Sequence, residues 1–71
     1  MNVNTLQEII TMQQRPNEEV GLILNAYEFA SAAHKGQKRK SGAPYIVHPL
    51  ATAERLAEMH IDSPTVAAAL L

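Results

Sequence analysis

The sequence has no cysteine and no tryptophan, one phenylalanine and two tyrosines. Without cysteine, neither a disulfide framework nor a thiolate metal site can staple the chain. No apolar run approaches the roughly 20 residues that a membrane span requires. No basic segment followed by an apolar one stands at the N-terminus, so a signal peptide is not expected. These absences make a soluble, cytoplasmic protein with no membrane partner the default expectation. Glycine-rich phosphate loops and serine-nucleophile elbows are also missing, as are internal repeats and low-complexity tracts. A length of 71 residues allows one small domain at most, and a chain this short buries only about 60% of its unfolded surface.

The most informative lack is local. Residues 29–53 contain no Asp or Glu, while Lys35, Lys38, Arg39 and Lys40 cluster within them. Glu18, Glu19 and Glu28 come before that stretch, and Glu54, Glu58 and Asp62 come after it. A net charge of −1 hides this asymmetry, which points to an anionic ligand or partner at the cationic stretch.

Around it, the pattern is helical. Asn4 or Thr5 can cap a first short helix carrying Leu6, Ile9, Ile10 and Gln13 on one side, with Glu8 at capping-box distance from Thr5. Pro16 closes that segment, so residues 1–15 read as a loosely attached lead-in and 16–71 as the domain proper. Pro16 and Asn17 open a second helix over about 17–35, with Glu18 and Glu19 at the positive end of its dipole. Val20, Ile23, Leu24, Tyr27, Ala30 and His34 share one face, which Phe29 and Ala33 widen. Gly36 suits the residue after the helix.

Ser41-Gly42 signals a turn, and Pro44 holds Ala43 extended. A third helix starts near Tyr45-Ile-Val-His-Pro49, with Pro49 in its first turn. Its inward face is Ile46, Leu50, Ala53, Leu56 and Ala57, continuing to Met59 and His60. The second and third helices are expected to pack face to face. Asp62 or Ser63 caps a fourth helix with Pro64 at its start. That helix runs to Leu71 without a stop signal, so the chain reads as cut within it. Its Val66, Leu70 and Leu71 then lack packing partners, and self-association through exposed apolar faces is expected.

Three residue groups can carry chemistry. His48, at a helix start beside the cationic stretch, suits a metal ligand, or else a cap or packing residue. One imidazole makes no metal site, and the chain offers no suitable further set. Lys38-Arg39-Lys40 suits a polyphosphate, with Arg39 stacking on a base or forking onto oxygens. A nucleic-acid patch usually recruits more charge than this near-neutral chain has, and a solvated loop is the bland alternative. Tyr45 either contacts a base or phosphate or is buried with a bonded hydroxyl. His34 reads as a buried imidazole bonded across helices, and His60 as a helix-end charge.

Taken together, Ala26-Tyr-Glu-Phe-Ala30, Ala33-His-Lys-Gly-Gln37, Arg39-Lys-Ser-Gly42, Pro44-Tyr-Ile-Val-His-Pro-Leu50 and Thr65-Val-Ala-Ala-Ala-Leu-Leu71 resemble the N-terminal hydrolase domain of the RelA/SpoT family. The resemblance covers about residue 18 to the end. It implies an all-α fold, the N-terminal helices of an HD-domain bundle, and a chain that stops just before the family's His-Asp dipeptide. The implied activity is metal-dependent removal of the 3′-pyrophosphate from the guanine nucleotide (p)ppGpp, with one Mn2+ as cofactor. His48 matches the first metal ligand. Arg39 and Lys40 match the basic pair beside the nucleotide, and Ser41 lines the same pocket. The remaining ligands and water-activating acids have no counterpart, so the 71 residues alone are expected to be inactive. No nucleic-acid partner is implied. Where the family reads Ser-Gly-Glu-Pro-Tyr, this chain has Ala43, which cannot supply a carboxylate. The alternatives are a related HD phosphohydrolase acting on other nucleotides, or a short non-catalytic helical module that binds a partner.

Overall fold

The computed structural model describes residues 3–71. Four helices follow one another: α1 (Val3–Met12), α2 (Asn17–Ala33), α3 (Val47–Glu58) and α4 (Ser63–Leu70). Among the described residues there is no strand, only one isolated bridge between Lys38 and Pro44. The all-α expectation holds. No helix among them is long and apolar enough to cross a membrane.

α1 starts earlier than its polar residues suggest. Asn4 and Thr5 lie inside the helix rather than capping it. Leu6 and Ile10 are fully buried, one turn apart on a single face, so α1 is part of the core and not a loose attachment. It ends with Gln14 in the left-handed region (φ 55). There the Gln14 N–H donates to the Thr11 carbonyl at 2.9 Å, and the Arg15 N–H to that of Ile10 at 3.4 Å. α3 stops in the same way. His60 (φ 59) donates its N–H to the Ala57 carbonyl at 2.9 Å, and Ile61 donates to that of Leu56 at 3.0 Å. This pairing satisfies the last carbonyls of a helix and usually employs glycine. His60 and Met59 are therefore exposed beyond the helix and do not extend its inward face.

α2 ends at Ala33, two residues short of the expected limit, and Gly36 turns the chain at φ 83. Its buried stripe is Ile23, Ala26 and Ala30, with Val20, Leu24 and Tyr27 half-buried beside it. Phe29 and Ala33 do not widen this face: Phe29 is 69% exposed and Ala33 is exposed. The reason is angular. Seven residues complete nearly two turns, so Phe29 falls in line with Leu22 on a neighbouring stripe.

The expected face-to-face packing of α2 on α3 is replaced by a different order. α4 lies between them and packs on both, while α1 packs on α3 and, less extensively, on α2. Val66 and Leu70, read as lacking partners, are 0% and 1% exposed. Small side chains explain the position: Ala67 and Ala26 let α4 and α2 approach closely, and both are buried. Leu71 alone of that trio stays out, at 69% exposed. Asp62 caps α4, accepting the Thr65 N–H at 3.0 Å and the Thr65 hydroxyl at 2.8 Å. These contacts hold its carboxyl below its ordinary range.

A polar clamp ties the helix ends together. The Ser63 hydroxyl, 1% exposed, accepts from Arg15 Nη1 at 2.8 Å and donates to Glu19 Oε1 at 2.7 Å. Arg15 Nε donates to Gln13 Oε1 at 2.7 Å, and Gln13 Nε2 donates to the Ala57 carbonyl at 2.6 Å. The connection after α1, the first turn of α2, the last turn of α3 and the start of α4 meet in it, which leaves the opposite end, where α2 finishes and α3 begins, to the connecting segment.

Candidate functional site

That segment is a short hairpin. The Tyr45 N–H donates to the Gln37 carbonyl at 3.0 Å, and the Arg39 N–H to that of Ala43 at 2.9 Å. The Gly42 N–H donates to the Arg39 carbonyl at 2.8 Å and closes the tip. Gly42 has φ 88, a conformation in which any other residue would be strained. Ser41-Gly42 is thus the turn its sequence suggests. The turn displays Lys38, Arg39, Lys40 and Ser41 in solvent, and no carboxylate forms an ion pair with the three cations among the described residues. Together with Tyr45 they line a cavity of about 630 Å³. Three cations held close repel one another, so this surface suits an anion that neutralises them.

α3 begins at Val47 with no side-chain cap. Pro49 sits in its first turn, where its missing N–H costs nothing. His48, one residue earlier, is exposed and its imidazole has no hydrogen-bond partner among the described residues. It therefore does not cap the helix end. Instead it lines a second cavity, of about 350 Å³, with His34, Tyr45, Thr52, Leu70 and Leu71. Tyr45 borders both cavities, which therefore adjoin at its side chain. Arg39, Lys40 and Ser41 line the first and His48 the second.

Tyr45 is 39% exposed and is not the buried tyrosine with a bonded hydroxyl that its sequence allowed. Its ring stacks on His34, with centroids 4.4 Å apart. Nor is His34 bonded across helices: half-buried at the end of α2, it bonds locally to Gln37. The sequence carries a faint signal of this, since His34 and Gln37 stand three apart at a helix end.

The donor set does not complete a metal centre. Among the described residues, no group of three or more His, Cys, Asp or Glu is gathered to hold an ion. His48 offers a single imidazole.

Residues 26–71 match the family described as HD domain. Over 66 residues the chain is 47% identical to a guanosine-3′,5′-bis(diphosphate) 3′-pyrophosphohydrolase of Aquifex aeolicus, covering 93% of this chain and 9% of that protein. Over 56 residues it is 50% identical to the bifunctional (p)ppGpp synthase/hydrolase SpoT of Escherichia coli, covering 79% of this chain and 8% of the relative. The bifunctional (p)ppGpp synthase/hydrolase RelA of Mycobacterium tuberculosis is 48% identical over 56 residues, with the same shares. The RelA/SpoT resemblance is therefore borne out. The chain spans less than a tenth of the length of these relatives.

Proposed function

This chain belongs to the HD domain family, and we propose that it forms the N-terminal part of a metal-dependent (p)ppGpp 3′-pyrophosphohydrolase, which converts guanosine-3′,5′-bis(diphosphate) to GDP and pyrophosphate. One observation carries this reading. An unneutralised cationic cavity and a cavity bearing His48 share Tyr45 as a wall, so one elongated anionic ligand can lie across both. In this reading Arg39 covers the guanine face, Lys40 holds phosphate oxygens and Ser41 lines the same pocket. His48 supplies one ligand of a single Mn2+ whose other ligands are not among these residues. The enzyme works in the cytoplasm, and neither nucleic acid nor membrane is its partner.

Binding tests the reading without requiring turnover. The purified chain should bind guanosine-3′,5′-bis(diphosphate), and Arg39→Ala should weaken binding roughly tenfold or more, the worth of a hydrogen bond to a charged group. Equal affinity of the two proteins would show that the cationic cavity is not the nucleotide site.

A second reading rests on a separate observation. Leu22, Asn25, Ala26, Phe29, Ala67 and Leu71 line an almost wholly apolar groove between α2 and α4. Such a groove supports self-association of the isolated chain. Sedimentation analysis that finds only monomer at high micromolar concentration would remove this reading.

A further inference from the structure

The spacing of α2 puts His34 on its inward face, yet the fold places it half-buried at the helix end and does not use it for a bond across helices. Its Nδ1 lies 2.9 Å from Gln37 Oε1. The Gln37 N–H donates back to the His34 carbonyl at 2.9 Å, and the Gln37 carbonyl accepts the Tyr45 N–H at 3.0 Å. The Tyr45 ring then returns to lie on the His34 ring, 4.4 Å between centroids and 26° between planes. The contacts thus form a closed circuit: His34 to Gln37, Gln37 to Tyr45, and Tyr45 back to His34.

This circuit sits where the hairpin most needs one. Residues 37–42 are all exposed, and Gly36 and Gly42 both take positive φ. The hairpin therefore has little core of its own, while Lys38, Arg39 and Lys40 push one another apart. The stack is the only aromatic contact among the described residues, and it anchors the one residue that borders both cavities.

We propose that His34 is a positioning residue: the circuit through Gln37 and Tyr45 fixes the point at which the cationic cavity and the His48 cavity adjoin, and so sets the spacing at which an anionic nucleotide meets Arg39 and His48. The inference rests on the function proposed above and adds a residue whose part is to hold the Tyr45 ring in place. Its effect is to order the hairpin before the ligand arrives, which spares that ordering cost on binding.

The test uses the purified chain, with guanosine 5′-diphosphate as the probe, in four forms: unmodified, His34→Ala, His34→Phe and Arg39→Ala. The first readout is proton NMR of the Tyr45 ring, whose signals the facing ring displaces upfield. That displacement should vanish in His34→Ala and persist in His34→Phe, which keeps a ring to stack on. The second readout is affinity. His34→Ala should bind the probe roughly two- to tenfold more weakly, matching the loss of one ordered side chain, and His34→Phe should recover most of this. If His34→Ala loses its helical circular dichroism, Gln37→Ala takes its place with the same two readouts. Unchanged affinity in His34→Ala, with weaker binding in Arg39→Ala, would overturn the positioning role and leave the cavity reading standing. Unchanged affinity in Arg39→Ala would remove the cavity reading, and the positioning role with it.

Discussion

Glu54 offers a test of the packing, because its environment contradicts its chemistry. It is 2% exposed on α3, and Oε1 has no hydrogen-bond partner among the described residues. Burial pushes its carboxyl above the usual 4.5, and the like charge of Glu58, one turn along, acts in the same direction. A buried acceptor left unmade costs about 1–3 kcal/mol. Glu54→Met keeps most of the side chain's length and removes the polar atoms, so it should stabilise the fold at pH 7 by about that amount. For a domain of this size each kcal/mol moves the melting temperature by roughly 4–8 °C. The sign of the pH dependence follows from linkage. Between the unfolded value and the raised folded value, the native state binds more protons than the unfolded chain. Unmodified protein therefore gains stability as pH falls through that window, and the advantage of Glu54→Met shrinks. Thermal melts of both proteins from pH 7 down to pH 4 read this directly. A lower melting temperature for Glu54→Met at pH 7, or an advantage that does not change with pH, would mean that the carboxylate has a partner.

Three further outcomes are expected. Asp62→Ala should lower the melting temperature and Asp62→Asn much less, because the cap oxygen to Thr65 survives in the amide. Since the Asp62 carboxyl is held below 3.8 mainly by the Thr65 hydroxyl and N–H, its contribution is complete above that pH and fades as pH falls through the depressed value; a pH-independent difference between Asp62 and Asp62→Asn would contradict it. His60→Gly should stabilise by about 0.5–1 kcal/mol, because φ 59 is a conformation that glycine adopts without steric cost; a denaturant midpoint that falls would contradict this. The 71 residues alone should release no pyrophosphate from guanosine-3′,5′-bis(diphosphate) with or without added Mn2+, since no metal-holding cluster is gathered among the described residues; turnover that disappears in His48→Ala would mean that the missing ligands are supplied in trans.

Periodicity made α2 and α3 legible. Spacing alone places Ile23, Ala30, Leu50, Ala53 and Ala57 inward, and all are buried. Their partner was not legible, because an amphipathic stripe says that a face is covered and not by what. α4, short and rich in alanine, looked like an unfinished end, yet it is the element that both longer helices pack on. The clamp of Arg15, Glu19 and Ser63 joins residues far apart in sequence and carries no local signature. At the site, the turn and the exposed cations followed from Ser41-Gly42 and the run of charge. The His34–Tyr45 stack did not, because it depends on how the hairpin folds back over the end of α2, which neither segment specifies alone.

Whether these residues can supply the cationic cavity and a metal ligand of a (p)ppGpp hydrolase is decided by transplantation. This chain would replace the aligned 66 residues in the full-length Aquifex aeolicus pyrophosphohydrolase, and Mn2+-dependent release of pyrophosphate would be measured. The chimera should hydrolyse guanosine-3′,5′-bis(diphosphate), and His48→Ala should abolish this activity. A folded chimera without activity, or one whose activity survives His48→Ala, would contradict it.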